Sequence, residues 1–339
     1  MEISKEQGRC IKGIAILLIM VHNFVDILLG IGGNEINYSP KSTQDFLDHV
    51  FTADALWYIL SFAGWIGVPL FFFLSGYGLT KKYGDSTPLK PAAYLKSHVI
   101  KLWKLLLPIY LVYFAIYTTN VKSAIAQATF TINLLYGRNG FHIDPGVYWF
   151  FGAIFQFYLL FIVFRKLSTR WLWTLAAAFV AGHYLILYTV DANTMTWMRL
   201  NFTGWGATFV LGMIAARSRL AISRERNIAL CAASFIALCV CLVTKCLTPF
   251  TEVCTIIFLV TLTSRFSARW LCFVGIISLS IFALHPLIRQ LFYSIFSFAP
   301  DYPYTMTIAF AVTTLVLSWV HHEILKRTDR LFPSPTPSP

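Results

Sequence analysis

Of the 339 residues, 57% are hydrophobic and 17% aromatic, but only 12% are charged, against about a quarter in ordinary soluble domains, which argues against a single soluble globule. The net charge of +12 would in a soluble chain point to nucleic acid or another acidic partner, so its place along the chain matters. Seven cysteines, five of them between Cys231 and Cys254 in apolar surroundings, make no even, loop-borne disulfide framework; Cys239 and Cys241 lack a second ligand pair at zinc spacing, so the thiols read as packing residues and no metal site is expected.

A bilayer core about 30 Å thick takes about 20 apolar residues per helix. In chain order ten such runs are bounded by charged or turn residues: 11–29, 57–79, 102–119, 147–164, 171–190, 203–216, 228–244, 250–264, 271–292 and 304–322, the sixth and eighth being short. Lys5, Arg9 and Lys12 precede the first run, and no small-residue cleavage pattern follows it, so it reads as a retained helix rather than a secretory leader. Within it His22 is followed four residues later by Asp26, on the same helical face. That pairing suits either a general base oriented by a carboxylate or a histidine satisfied by a neighbouring carbonyl, with Asp26 marking the wet end of the helix.

The second run ends in Ser75, Gly76 and Gly78 before Lys81 and Lys82, small residues that allow close approach by a helix or a ligand. Lys96, Lys101 and Lys104 continue a basic cluster into the start of the third run, the last two three residues apart on one helical face; it suits anionic lipid headgroups or a phosphorylated cosubstrate. His183 lies in the fifth run without a polar companion and reads as a packing residue. In the ninth, His285 precedes Pro286, which frees a carbonyl one turn back, and Arg289 follows four residues on. At about 1.5 Å per residue His22, His183 and His285 all sit roughly 16–21 Å from one membrane boundary. His321, His322 and Glu323 do not have zinc-protease spacing.

Alternating the connections across the membrane with both termini inside puts 21 Lys and Arg on the inner side and six on the outer, as cytoplasmic loops require. The expected architecture is therefore all-α: a polytopic bundle of about ten transmembrane helices with both termini cytoplasmic. It forms a single integral membrane domain over 1–328, with a disordered Pro/Ser-rich tail over 329–339. The surplus charge becomes an orientation signal, and nucleic acid drops out as a partner. Two long outer connections, 30–56 and 120–146, carry acidic, aromatic and glycine residues suited to function. Visible inverted repeats of the transporter kind are lacking.

These residues resemble the integral membrane acyltransferase family 3 along nearly the whole chain. Lys12 through His22 is similar to the family's opening basic residue, apolar run and histidine, with nine intervening residues where ten are usual, so that Asn23 occupies the strict register. Gly67 through Tyr77, with Phe71–Phe72–Phe73 and Ser75–Gly76–Tyr77, is similar to its Phe-rich run. Trp149 through Gln156–Phe157–Tyr158 resembles the fourth-helix element, although Ile154 stands where many relatives have Glu, and Ser280 through His285–Pro286 resembles the late His-Pro helix. Lys101 and Lys104 correspond to the family's donor-binding arginine pair, keeping the charge without the bidentate fork.

The resemblance implies transfer of an acyl group, commonly acetyl from acetyl-CoA or another acyl-CoA as cosubstrate with no bound cofactor, to a hydroxyl of an envelope polysaccharide or glycolipid. It implies a multi-pass protein of the inner or plasma membrane, in contact with membrane lipid. The expected catalytic residues are His22, as general base or transient acyl carrier, with Asn23, Asp26 and His285; the donor-binding residues are Lys12, Lys101 and Lys104; Ser75, Trp149 and Gln156 serve substrate or packing. A transporter or flippase of a polar solute or lipid-linked glycan is the rival reading, since buried histidines also suit proton-coupled movement.

Overall fold

A computed structural model describes residues 2–30, 35–84, 88–117, 120–218, 223–296 and 302–331, and among them there are helices and turns but no strands. α1 (Lys5–Leu29) starts where the Ser4 hydroxyl accepts from the Gln7 amide and stops at Gly30, whose φ of 63° ends the helix in the left-handed region. α2 (Pro40–His49) belongs to the first long connection. α3 (Ala55–Ala63) passes through a tight turn, Gly64–Ile66, into α4 (Gly67–Tyr83), and the three form one apolar span, Ala55–Tyr83. α5 (Pro91–Ile116) is followed by the short α6 (Val121–Ala128) and α7 (Ile132–Leu135). α8 (Trp149–Phe164), α9 (Thr169–Thr189), α10 (Ala192–Leu200) and α11 (Phe202–Arg217) come next. α12 (Arg224–Val243), α13 (Thr251–Thr263), α14 (Arg269–Ile276), α15 (Ser278–Ile295) and α16 (Pro303–Leu331) complete the chain.

Eight segments are long and apolar enough to cross a membrane, or nine when α14 and α15, bent by 71° at their junction, count as one. Large apolar side chains on their outer faces, Leu111, Trp171, Ile236 and Val312 among them, are half exposed or more. Helices that meet hydrocarbon present such faces. The chain is thus a multi-pass helical membrane protein.

The sixth run, 203–216, is α11, 16 residues long or about 24 Å; sheathed by α4 and α9, it runs from Phe202 to Arg217, whose guanidinium donates to the Leu167 and Arg165 carbonyls just past α8. Three expectations are corrected. α5 begins at Pro91 rather than near 102, because Pro is pre-organised for a first helical turn. Lys101 and Lys104 lie within this helix, as their spacing on one helical face predicts. The ninth span bends at Ile277, and α15 runs through Pro286. α16 continues through Leu331, so 329–331 of the expected tail are helical, and 332–339 lie outside the described residues.

α4 and α11 make the closest helix pair. A Cβ on Gly76 would strike the carbonyl of Phe209, and one on Gly212 the carbonyl of Phe73, so the two backbones touch through reciprocal glycines. Two residues along, Gly78 faces open space. Gly76→Ala is expected to cost about 1–3 kcal/mol by overpacking, and Gly78→Ala close to nothing; thermal melts of both variants in detergent check the contrast.

Candidate active site

Two cavities open at opposite ends of the bundle. The first, about 720 Å³, lies at the end that carries the N-terminus. Lys12 enters it from α1, Ser75 and Gly78 from α4, Lys101 and Lys104 from α5, and Lys326 and Arg330 from the end of α16. The Lys104 Nζ donates to Asp329 Oδ1 at 2.7 Å, an exposed pair worth little in stability. Deeper in the bundle the walls turn apolar, with Phe71, Phe150, Phe151 and Ile154. A basic rim over an apolar floor accepts an anionic head carrying an uncharged tail.

The second cavity, about 300 Å³, gathers His22, Asn23 and Asp26 from the far half of α1. Trp65 precedes α4, Trp149 opens α8, Arg199 ends α10, and Arg289 reaches in from α15. His22 is 6% exposed and its Nδ1 has no hydrogen-bond partner. The ring is seated by Gly64, where a Cβ would approach the His22 Cβ to 2.5 Å. Asp26 Oδ1 accepts from the Ser61 hydroxyl at 3.0 Å; it shares the cavity with His22 without a hydrogen bond between them among the described residues. Asn23 turns its amide nitrogen back to the Ile19 carbonyl at 2.8 Å.

Trp149 stacks on Trp205, centroids 5.5 Å apart, and the Trp205 indole donates to the Arg199 carbonyl at 2.6 Å. Arg199 is ion-paired with Glu35 across the first long connection. The second contributes Tyr136 and Ile143 to the wall. It is held by Gln127, whose amide donates to the Asp144 carbonyl at 2.8 Å and accepts from the Asp144 amide at 2.6 Å.

Arg289 differs from Arg165 and Arg217 in the partners of its terminal nitrogens. Arg165 and Arg217 spend their guanidinium donors on backbone carbonyls of Tyr83, Gly84 and Leu167. Arg289, 8% exposed, makes one hydrogen bond among the described residues, Nη1 to the Asn23 carbonyl at 3.1 Å, and its Nε is without a partner. No carboxylate among them lies within ion-pairing distance of it. Arg289 shares the cavity with Asp26, whose charge offsets part of its own without a direct ion pair.

The residues singled out by sequence thus divide. Lys12, Lys101, Lys104 and Ser75 line the basic cavity; His22, Asn23, Asp26 and Trp149 line the polar one. His285 lines neither. It is fully buried, its Nδ1 donates to the Ile281 carbonyl at 3.0 Å, and its ring edges against Phe282 at 5.6 Å, so it stands behind the cavity wall. Gln156 is likewise outside both cavities, its amide bridging Asn201 Oδ1 at 2.7 Å and the Phe202 amide at 2.9 Å. His183 donates its Nε2–H to the Ile36 carbonyl at 2.7 Å, tethering the first long connection. Glu35, Arg199 and Arg289 were not singled out by sequence. Only the four-residue spacing of Arg289 from His285 drew any attention to it.

Rings from both linings meet: Phe151 of the basic side lies 5.4 Å from Phe282 of the polar side. Phe71 and Phe150 face the basic side and Phe282 the polar side; Phe150 lies 4.8 Å from Phe282, and Phe71 lies 6.4 Å from Phe282 and 6.1 Å from Phe150. No curated protein and no solved structure matches the chain. The family model described as an acyltransferase domain, acyltransferase family 3, matches residues 9–323. That match takes in every residue of both cavity walls except those at the end of α16, and the chain therefore belongs to acyltransferase family 3, as a membrane acyltransferase acting on groups other than amino-acyl groups.

Proposed function

We propose that the protein moves an acyl group, acetyl foremost, from acyl-CoA in the basic cavity to a hydroxyl of an envelope polysaccharide or glycolipid in the polar cavity. The observation that carries this reading is the pairing of a lysine-rimmed cavity with a histidine-bearing one, at opposite ends of the bundle and with rings of the two linings in contact. The positive-inside rule orients the lysine-rich end toward the cytoplasm of an inner or plasma membrane, where acyl-CoA is made.

In this mechanism the His22 imidazole takes the proton of the acceptor hydroxyl as its oxygen attacks the thioester carbonyl carbon. Negative charge gathers on the carbonyl oxygen, and Arg289 opposes it. The carbon–sulfur bond then breaks, and the CoA sulfur leaves with the proton that His22 carried, giving an ester and a free thiol with no net change in protons. Asp26 opposes the positive charge that His22 bears between these steps, Asn23 anchors the backbone around it, and His285 supports the wall from behind.

Labelled acetyl-CoA supplied to inside-out membrane vesicles tests the reading: label is expected in the glycan or glycolipid fraction. Movement of unlabelled substrate across the membrane with no incorporation would support the transporter instead. Lys12, Lys101 and Lys104 hold the donor phosphates in this scheme. A charge-assisted hydrogen bond contributes about 1.5–3 kcal/mol, so Lys101→Ala is expected to raise KM for acyl-CoA by about tenfold or more while kcat stays near the wild-type value. Lys104→Ala is expected to raise it less, because its ammonium is already engaged with Asp329. Initial rates over a range of acyl-CoA concentrations check both.

A further inference from the structure

The two cavities approach each other most closely along α8 and α15. Trp149 lines the polar cavity and the next residue, Phe150, the basic one; Ser280 lines the basic cavity and Phe282, two residues on, the polar one. On α1 the nearest lining residues, Lys12 and Ile19, are seven residues apart, about 10 Å at 1.5 Å per residue. Between these linings sits a cluster of rings, with Phe282 against Phe71, Phe150 and Phe151. Phe71, Phe150 and Phe282 are 3–5% exposed, and their rings meet edge to face or tilted, without a parallel stack among them. Rings in such a cluster turn about two side-chain torsions without any helix having to move.

We propose that Phe71, Phe150 and Phe282 form the passage through which the acyl thioester enters the polar cavity, and that their bulk restricts the transferred group to short acyl chains. The inference rests on the transfer reading above and adds the class of acyl group. Two observations support it. The lysines line the basic cavity and His22 the polar one, so a donor held by its phosphates reaches the imidazole past these rings. The polar cavity, at about 300 Å³, is at the lower end of ligand pockets, yet it has to hold the acceptor hydroxyl and the acyl group together. Its lining mixes Asn23, Asp26 and Arg289 with Val68, Ile143 and Trp149, so its size rather than its polarity limits the chain. The basic cavity is larger and apolar at its floor, so selection against long chains falls at the rings and beyond them, not at donor binding.

The test uses the full chain in inside-out membrane vesicles, with radiolabelled acetyl-CoA and hexanoyl-CoA as probes and label in the glycan or glycolipid fraction as the readout. Wild type is expected to incorporate acetyl in strong preference to hexanoyl. Phe282→Ala and the milder Phe282→Leu and Phe150→Leu are expected to shift the hexanoyl-to-acetyl ratio toward hexanoyl by about tenfold or more, the scale on which one or a few methylenes are discriminated in an apolar site. A merely structural role would lower both rates together and leave the ratio unchanged. Phe282→Trp is expected to lower transfer of both probes while acetyl-CoA still protects the purified protein against thermal unfolding, because the donor cavity is intact.

The inference is overturned if wild type transfers hexanoyl as readily as acetyl, or if the leucine variants retain acetyl transfer with an unaltered ratio. Absence of any label from wild-type vesicles with either probe would instead overturn the transfer reading itself, and this inference with it.

Discussion

His22→Ala is expected to lower acyl transfer by a factor of about 10²–10⁴, the range supplied by one positioned general base. The imidazole sits in the polar cavity with an unpartnered Nδ1, and no neighbouring histidine lines that cavity to take its place. His285 is bonded to its own helix and His183 to Ile36. Because the lysines that hold the donor line the other cavity, the KM for acyl-CoA is expected to change little, and the loss should appear in kcat. Labelled acetyl-CoA and His22→Ala membranes measure both constants. An unaltered kcat would remove His22 from the reaction. Thermal melting of the purified variant guards against a folding defect, and it is expected to change modestly, since Gly64 packs against the His22 Cβ, an atom that alanine retains.

Arg289→Ala is expected to cost about 10²–10³ in kcat, the effect of removing one donor from a developing oxyanion. Its signature is the opposite movement of activity and stability. Arg289 has a single backbone acceptor and no carboxylate at ion-pairing distance among the described residues. Its removal relieves a desolvated charge that Asp26 offsets only at a distance, and melting temperature is expected to hold or rise. An arginine that served only to tie α15 to α1 would lower both. Arg289→Lys is expected to recover part of the rate, as it keeps the charge and loses the fork. Parallel measurements of kcat and of thermal unfolding in detergent distinguish the two roles.

How far the site was legible depends on what helical geometry converts into depth. Counting residues from the basic end placed His22 deep in the first span and Lys12, Lys101 and Lys104 near one membrane face, and these fall in different cavities at opposite ends. The same counting put His285 at a comparable depth, yet its ring points at Phe282 and the Ile281 carbonyl. Depth follows from residue number; azimuth around the helix does not. Gln156 marks a similar distinction, since its family-like setting in α8 proved to be a bridge between α8 and the start of α11. Glu35 and Arg199 lie 164 positions apart in two connections that carry no shared pattern, and nothing local announces that they meet. The pairing of Gly76 with Phe209 and of Gly212 with Phe73 is of the same kind: small residues were visible at 75, 76 and 78, but which of them touched a neighbour was not.

The amino-acid sequence by itself determined that this is a helical membrane protein, where most of its spans begin and end, which end is basic, and which family it resembles. Those properties are carried by run length, charge asymmetry and local motifs, each readable without knowing any neighbour. Tertiary structure alone decided which side chains share a cavity, that α4 and α9 sheathe α11, that the ninth span bends at Ile277, and that rings from both cavity linings meet at Phe282. The reason is physical: in a soluble helix one apolar face marks the core, whereas here lipid and protein interior are both apolar, so hydropathy cannot say which face turns inward, and packing has to choose.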